Sequence, residues 1–173
     1  MFLRKFYVLA VLAVAVTGFG ASDASAQATD TKSANINALI NNPIALNWVQ
    51  DMDFGEAAPS TTATTVVLNP DGTIDATSTA IGTNAALAQE ARFTVSGLPS
   101  QAYTVALPDD VTVVLTGPGT DMAVTGFTHD ATGTLSSAAT QPDGFGVGAT
   151  LNINAEQAAG SYSGSFDVTV SYN

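Results

Sequence analysis

Phe166-Asp167-Val168-Thr169-Val170-Ser171-Tyr172, followed by Asn173, decides the fold class. Successive side chains of a strand point to opposite faces, so Phe166, Val168, Val170 and Tyr172 share one side. Asp167, Thr169 and Ser171 share the other. An apolar row backed by a polar row marks a strand with one face buried and one in water. The same period recurs in Phe93 and Val95, in Tyr103, Val105 and Leu107, and in Val147, Ala149, Leu151 and Ile153. Thr, Val, Ala, Ser and Gly dominate, while Lys, Glu and Leu are scarce, a composition that favours strands over helices.

Turn chemistry separates these runs. Asn69-Pro70-Asp71-Gly72 supplies a fixed φ and then a glycine between Thr65–Leu68 and Thr73–Ala76, which reads as a hairpin. Leu98-Pro99-Ser100, Leu107-Pro108-Asp109-Asp110, Gly117-Pro118-Gly119 and Gln141-Pro142-Asp143-Gly144 act in the same way. Short strands at this spacing predict an antiparallel sandwich or barrel. Asn84–Ala91 admits one helical turn or a strand leading into Phe93, and the strand is preferred.

The start of the chain concerns compartment, not fold. Arg4 and Lys5 precede an apolar run from Phe6 to Phe19, and Ala24-Ser25-Ala26 supplies the small residues of a signal-peptidase site. Residues 1–26 therefore read as a secretory signal with cleavage before Gln27. The apolar run is shorter than the roughly 20 residues of a spanning helix, and no second such run follows. The expected mature chain has no membrane span.

Cleavage there removes Arg4, Lys5 and Asp23, leaving Lys32 and Arg92 against fourteen acids, a formal charge of 2 − 14 = −12. Such a surface repels phosphate backbones, so no nucleic-acid partner is expected. With no cysteine, thiol catalysis, iron–sulfur clusters and Cys-based zinc sites are excluded.

After the signal, residues 27–41 form an N-terminal extension ahead of a sandwich domain at 42–173. Ala34, Ile36, Ala38 and Ile40 fall on one face, and Asn41-Asn42-Pro43 breaks the run. Ile44, Leu46 and Trp48 then share a face, which points to core packing for Trp48. Pro43 cannot donate to a sheet ladder, so the two runs are not one continuous strand. Residues 34–40 are either the first strand of the chain's own sheet or a strand donated to a neighbour. Periodicity alone leaves both open.

Met52-Asp53-Phe54-Gly55, Phe93-Thr94-Val95-Ser96-Gly97, Ala102-Tyr103-Thr104-Val105-Ala106-Leu107-Pro108 and the ending Ala159 to Asn173 resemble the bacterial domain-of-unknown-function 4402 family. The matching pieces extend over about residues 34–173. The Asp-Phe-Gly segment and the Gly-x-Tyr ending are also similar to the spore coat protein U group of chaperone–usher pilins. The resemblance implies an immunoglobulin-like sandwich lacking its last strand. It further implies a periplasmic chaperone that fills the gap, an outer-membrane usher, and a neighbour's extension that later replaces the chaperone. The chain departs from many members of that group in having no disulfide. On this reading Ala34, Ile36, Ala38 and Ile40 are the donor-strand residues, and Phe166, Val168, Val170 and Tyr172 belong to the strand beside the acceptor groove.

Little points to catalysis. His129 is the only histidine, and Gly160-Ser161-Tyr162-Ser163-Gly164 has the letters of a nucleophile elbow but opens a strand instead of leading into a helix. Asp51 with Asp53, and Asp109 with Asp110, are the nearest carboxylate pairs for glycoside hydrolysis; solvated edge and turn acids are the commoner role. Calcium at Asp71-Gly72-Thr73-Ile74-Asp75 lacks the length of a twelve-residue loop. Alternation also suits a transmembrane barrel, but the runs are short and their second face is Thr, Ser or Asp. No enzyme activity, cofactor or metal site is expected. The expected role is a structural subunit that self-associates into a cell-surface filament, passing through the periplasm. The alternative is a monomeric secreted adhesion or glycan-binding module.

Overall fold

The computed structural model describes residues 29–80, 84–109, 113–138 and 140–173. The chain divides into two units, the first ending at Ala38 and the second running Leu39–Asn173. Residues 1–28, with the signal and its cleavage site, and Asp110 lie outside the described residues.

Among the described residues the second unit holds eight strands: β1 (Ala45–Gln50), β2 (Thr64–Leu68), β3 (Ala91–Ser96), β4 (Tyr103–Ala106), β5 (Val113–Leu115), β6 (Met122–His129), β7 (Asp143–Ile153) and β8 (Thr169–Tyr172). All pairings are antiparallel. One sheet runs β1-β3-β7-β6-β5, and β4 and β8 pair in a second. The fold is an all-β antiparallel sandwich. The only helical turn among the described residues is a 3-10 turn at Ala85–Leu87. It occupies the stretch for which a strand was expected; β3 begins only at Ala91, and Gln89 makes a lone bridge to Asp53.

β7 organises the core. Phe145, Val147, Ala149, Leu151 and Ile153 are all buried on its inner face, as their alternation requires. One edge of β7 carries β6. The other is shared, with β3 paired to residues 143–147 and β2 to residues 149–153. Among the described residues the core forms two clusters. Val66, Val113, Met122, Val124, Ala149, Leu151 and Ile153 form one, and Ala91, Val95, Tyr103, Leu135, Phe145 and Val147 the other.

Where β7 changes partner, the outgoing Leu68-Asn69-Pro70 segment crosses its outer face. A Cβ on Gly148 would lie 2.6 Å from the Asn69 carbonyl carbon and 2.8 Å from the Pro70 nitrogen. One on Gly146 would fall inside contact distance of the Pro70 carbonyl oxygen. These glycines sit inside a strand and make room for a backbone crossing.

The hairpin after β2 forms as expected, with Gly72 N donating to Asn69 O and Asn69 N to Thr73 O. Its return side is short, reduced to a bridge between Leu68 and Ile74. The Asp71 carboxylate accepts from Thr73 N and Oγ1, and Asp75 does the same for Thr77. For Asp71 the Thr73 hydroxyl and then its amide hold the carboxyl below its ordinary value; for Asp75 the Thr77 amide acts first, then the hydroxyl. A lowered folded-state value adds stability that is present above the unfolded value and lost as pH falls through the folded one. Replacing both, Asp71→Asn with Asp75→Asn, is expected to lower the urea midpoint at neutral pH. That difference should shrink as pH drops below the ordinary 3.8. Urea unfolding of both proteins across pH checks this.

Candidate functional site

Five antiparallel steps lead from β1 through β3, β7, β6 and β5 to a bridge between Thr116 and Ser163 in the C-terminal segment. Farther along, that segment becomes β8, paired to β4 through Tyr103↔Tyr172 to Ala106↔Thr169. β4 and β5 therefore lie along one edge of the C-terminal segment. β1 and the residues after it are likewise bonded along one edge, to β3, to Gln89 through Asp53, and to Asn84 through Glu56 O. Among the described residues the two remaining edges share no ladder; a single backbone hydrogen bond, from Glu156 N to Ser60 O at 2.7 Å, joins the chain just past Pro59 to the chain just before Gln157.

Between them lies an open cleft of about 860 Å³. One wall is Trp48 with Gln50–Pro59, the other Gln157–Phe166, and the floor includes Val113, Leu115, Met122, Val124, Leu151 and Ile153. The floor is thus largely the first core cluster. At the far end the walls are tied together, because the Tyr172 hydroxyl donates to Asn42 O at 3.2 Å while accepting from Leu98 N at 2.7 Å. Because five antiparallel steps separate them, the walls run in opposite directions. A strand laid between them would be antiparallel to one and parallel to the other.

Trp48 corrects the sequence reading. Its Cα partner is Phe93, whose own partner is the buried Phe145, so Trp48 does lie in the inward-facing row of the sheet. The Phe93 and Phe145 rings stack with centroids 5.7 Å apart. Core packing was expected for Trp48, yet it is 63% exposed. It stands at the open edge, where no neighbouring strand among the described residues covers it, and Nε1 donates to Asp51 Oδ1 at 3.1 Å. The register slips between Trp48 and Gln50, adding one residue to β1 at that point.

Of the expected groove-strand residues, Phe166 lines the cleft and packs against Phe127 at 5.1 Å. Val168, Val170 and Tyr172 instead pack on the second core cluster, and regular strand begins only at Thr169. Residues 29–44 form no strand, and Ala34, Ile36, Ala38 and Ile40 are exposed, Ile36 by 94% and Ile40 by 93%. Asp51 and Asp53 are engaged locally, by Trp48 Nε1 and by Gly55 N at 2.8 Å. His129 Nδ1 accepts from Ala131 N at a strand end. The Gln50–Pro59 wall was missed. Met52 and Phe54, which resume the even-numbered apolar series after Trp48, were its signal.

The family model described as "Domain of unknown function (DUF4402)" matches residues 44–172. The chain belongs to the DUF4402 family. The matched region begins just before β1 and takes in both walls of the cleft, while residues 34–40 precede it. No curated protein and no solved structure gives a match.

Proposed function

We propose that this DUF4402 chain is a structural, non-catalytic subunit of a cell-surface filament, in which Ala34–Ile40 of one copy fills the cleft of the next. The observation that carries the proposal is an apolar floor between two edges that share no ladder among the described residues and are tied at their ends, by Glu156 N to Ser60 O and by the Tyr172 hydroxyl to Asn42 O. Strand addition satisfies such edges through main-chain hydrogen bonds and gives alternate side chains an apolar bed. Ile36 and Ile40, in an alternating run and almost wholly exposed, are chemically suited to that bed. Before assembly an exposed edge of this kind is an aggregation hazard. That is a reason for a periplasmic chaperone to cover it and for an outer-membrane usher to exchange it.

Electron microscopy of producing cells tests the reading. Cells making the full chain should carry filaments, and cells making the chain without residues 27–41 should carry none. Filaments in both, or in neither, would set the proposal aside. The exposed Trp48 favours a second reading, a monomeric adhesion module with an aromatic platform for glycans. Under that reading a glycan array would bind the chain irrespective of changes at Ile36 and Ile40.

A further inference from the structure

An inward-facing tryptophan left in water is the least expected feature of the sandwich. Aromatic side chains carry the largest apolar surface of any residue and dominate the energetics of the interfaces that bury them. Trp48 continues the row formed by Phe93 and Phe145, so the inner face of the sheet extends to its open edge and stops there without a cover. The Asp51 carboxylate holds the indole by its Nε1, which limits the ordering left to occur when a partner arrives. The bulge beside it turns the strand at the point where the cleft wall begins.

We infer that Trp48 is the anchor for the incoming strand of a second copy, its indole face covered by an isoleucine of that strand. The inference deepens the proposed assembly and depends on it. The occupant is the Ala34–Ile40 segment because it is an exposed apolar alternating run of this same chain, ending shortly before the wall that Trp48 opens. An aliphatic side chain laid on the indole prolongs the inward row by one strand, as cross-strand aromatic and β-branched neighbours do within sheets. Trp48 thereby sets where along the cleft the inserted strand comes to rest.

Trp48 is the only tryptophan of the chain, so its emission reports this contact without interference. The full chain carrying Ile36→Asp and Ile40→Asp, which cannot donate its own strand, is mixed with a fluorophore-labelled peptide of residues 33–41. Labelled-peptide anisotropy reports binding, and an unlabelled copy of the peptide is used for tryptophan emission. The expected result is saturable binding with a blue shift, and affinity at least tenfold weaker in the same background carrying Trp48→Ala. Trp48→Phe should recover part of the loss, and circular dichroism should show all three proteins folded. Peptide binding with unchanged emission and unchanged affinity in Trp48→Ala would overturn the anchor while leaving strand insertion standing. No binding by any of the folded proteins would overturn both.

Discussion

Full-length protein carrying Ile36→Asp and Ile40→Asp is expected to fold normally and to remain monomeric where the wild type polymerises. Both side chains are exposed in the single chain, at 94% and 93%, so their loss removes nothing from its own core. Burial in a neighbour's cleft is where they contribute. Each isoleucine is worth about 1.5–3 kcal/mol on burial, so the pair supplies about 3–6 kcal/mol. At about 1.4 kcal/mol per decade, losing both weakens each contact roughly 10²- to 10⁴-fold. The new carboxylates would also enter a cleft whose wall already holds Asp51, Asp53 and Glu56. Sedimentation velocity measures the assembly state, and a thermal melt confirms the fold. Unaltered polymers would place the contact on another surface. Loss of the fold would place residues 34–40 within the chain's own sandwich.

The second large effect concerns stability. Gly148→Val is expected to destabilise the sandwich by more than the ~1–3 kcal/mol usual for overpacking. The atoms in its way are the backbone of Leu68, Asn69 and Pro70, which cannot swing aside as a flexible side chain would. Moving them would break the β2 ladder at Leu68↔Ala149, adjacent to the crossing. Gly146→Ala should behave similarly, through the Pro70 carbonyl. Gly144→Ala is the control on the same outer face. Its nearest neighbour would be Phe93 O at 4.0 Å, ordinary contact, so a change within about 0.5 kcal/mol is expected. Urea unfolding of the three variants separates a crossing effect from a general intolerance of side chains on that face.

The all-β class was legible because period-2 alternation reports burial on one side. In β7, where that alternation is longest, every residue read as inward is buried. The same rule placed Trp48 on the correct face and still misjudged its exposure. Alternation tells which way a side chain points, but the covering strand can come from anywhere, including another chain. Residues 34–40 were ambiguous for the same reason. The need for glycine at 146 and 148 was not legible, because only the path of Leu68–Pro70 reveals why a strand interior requires it there. The C-terminal strand was placed correctly from Thr169 onward. Its preceding segment, through Ser163 and Phe166, holds only a lone bridge to Thr116, and it is this irregular part that forms the cleft wall.

The most direct test is a cryo-electron-microscopy map of the polymer at side-chain resolution. The expected map has residues 34–40 of one copy as an added strand between the Trp48–Pro59 and Gln157–Phe166 walls of the next, with Ile36 and Ile40 directed toward the cleft floor. An empty cleft, or one occupied by residues 34–40 of the same chain, would contradict donation between subunits.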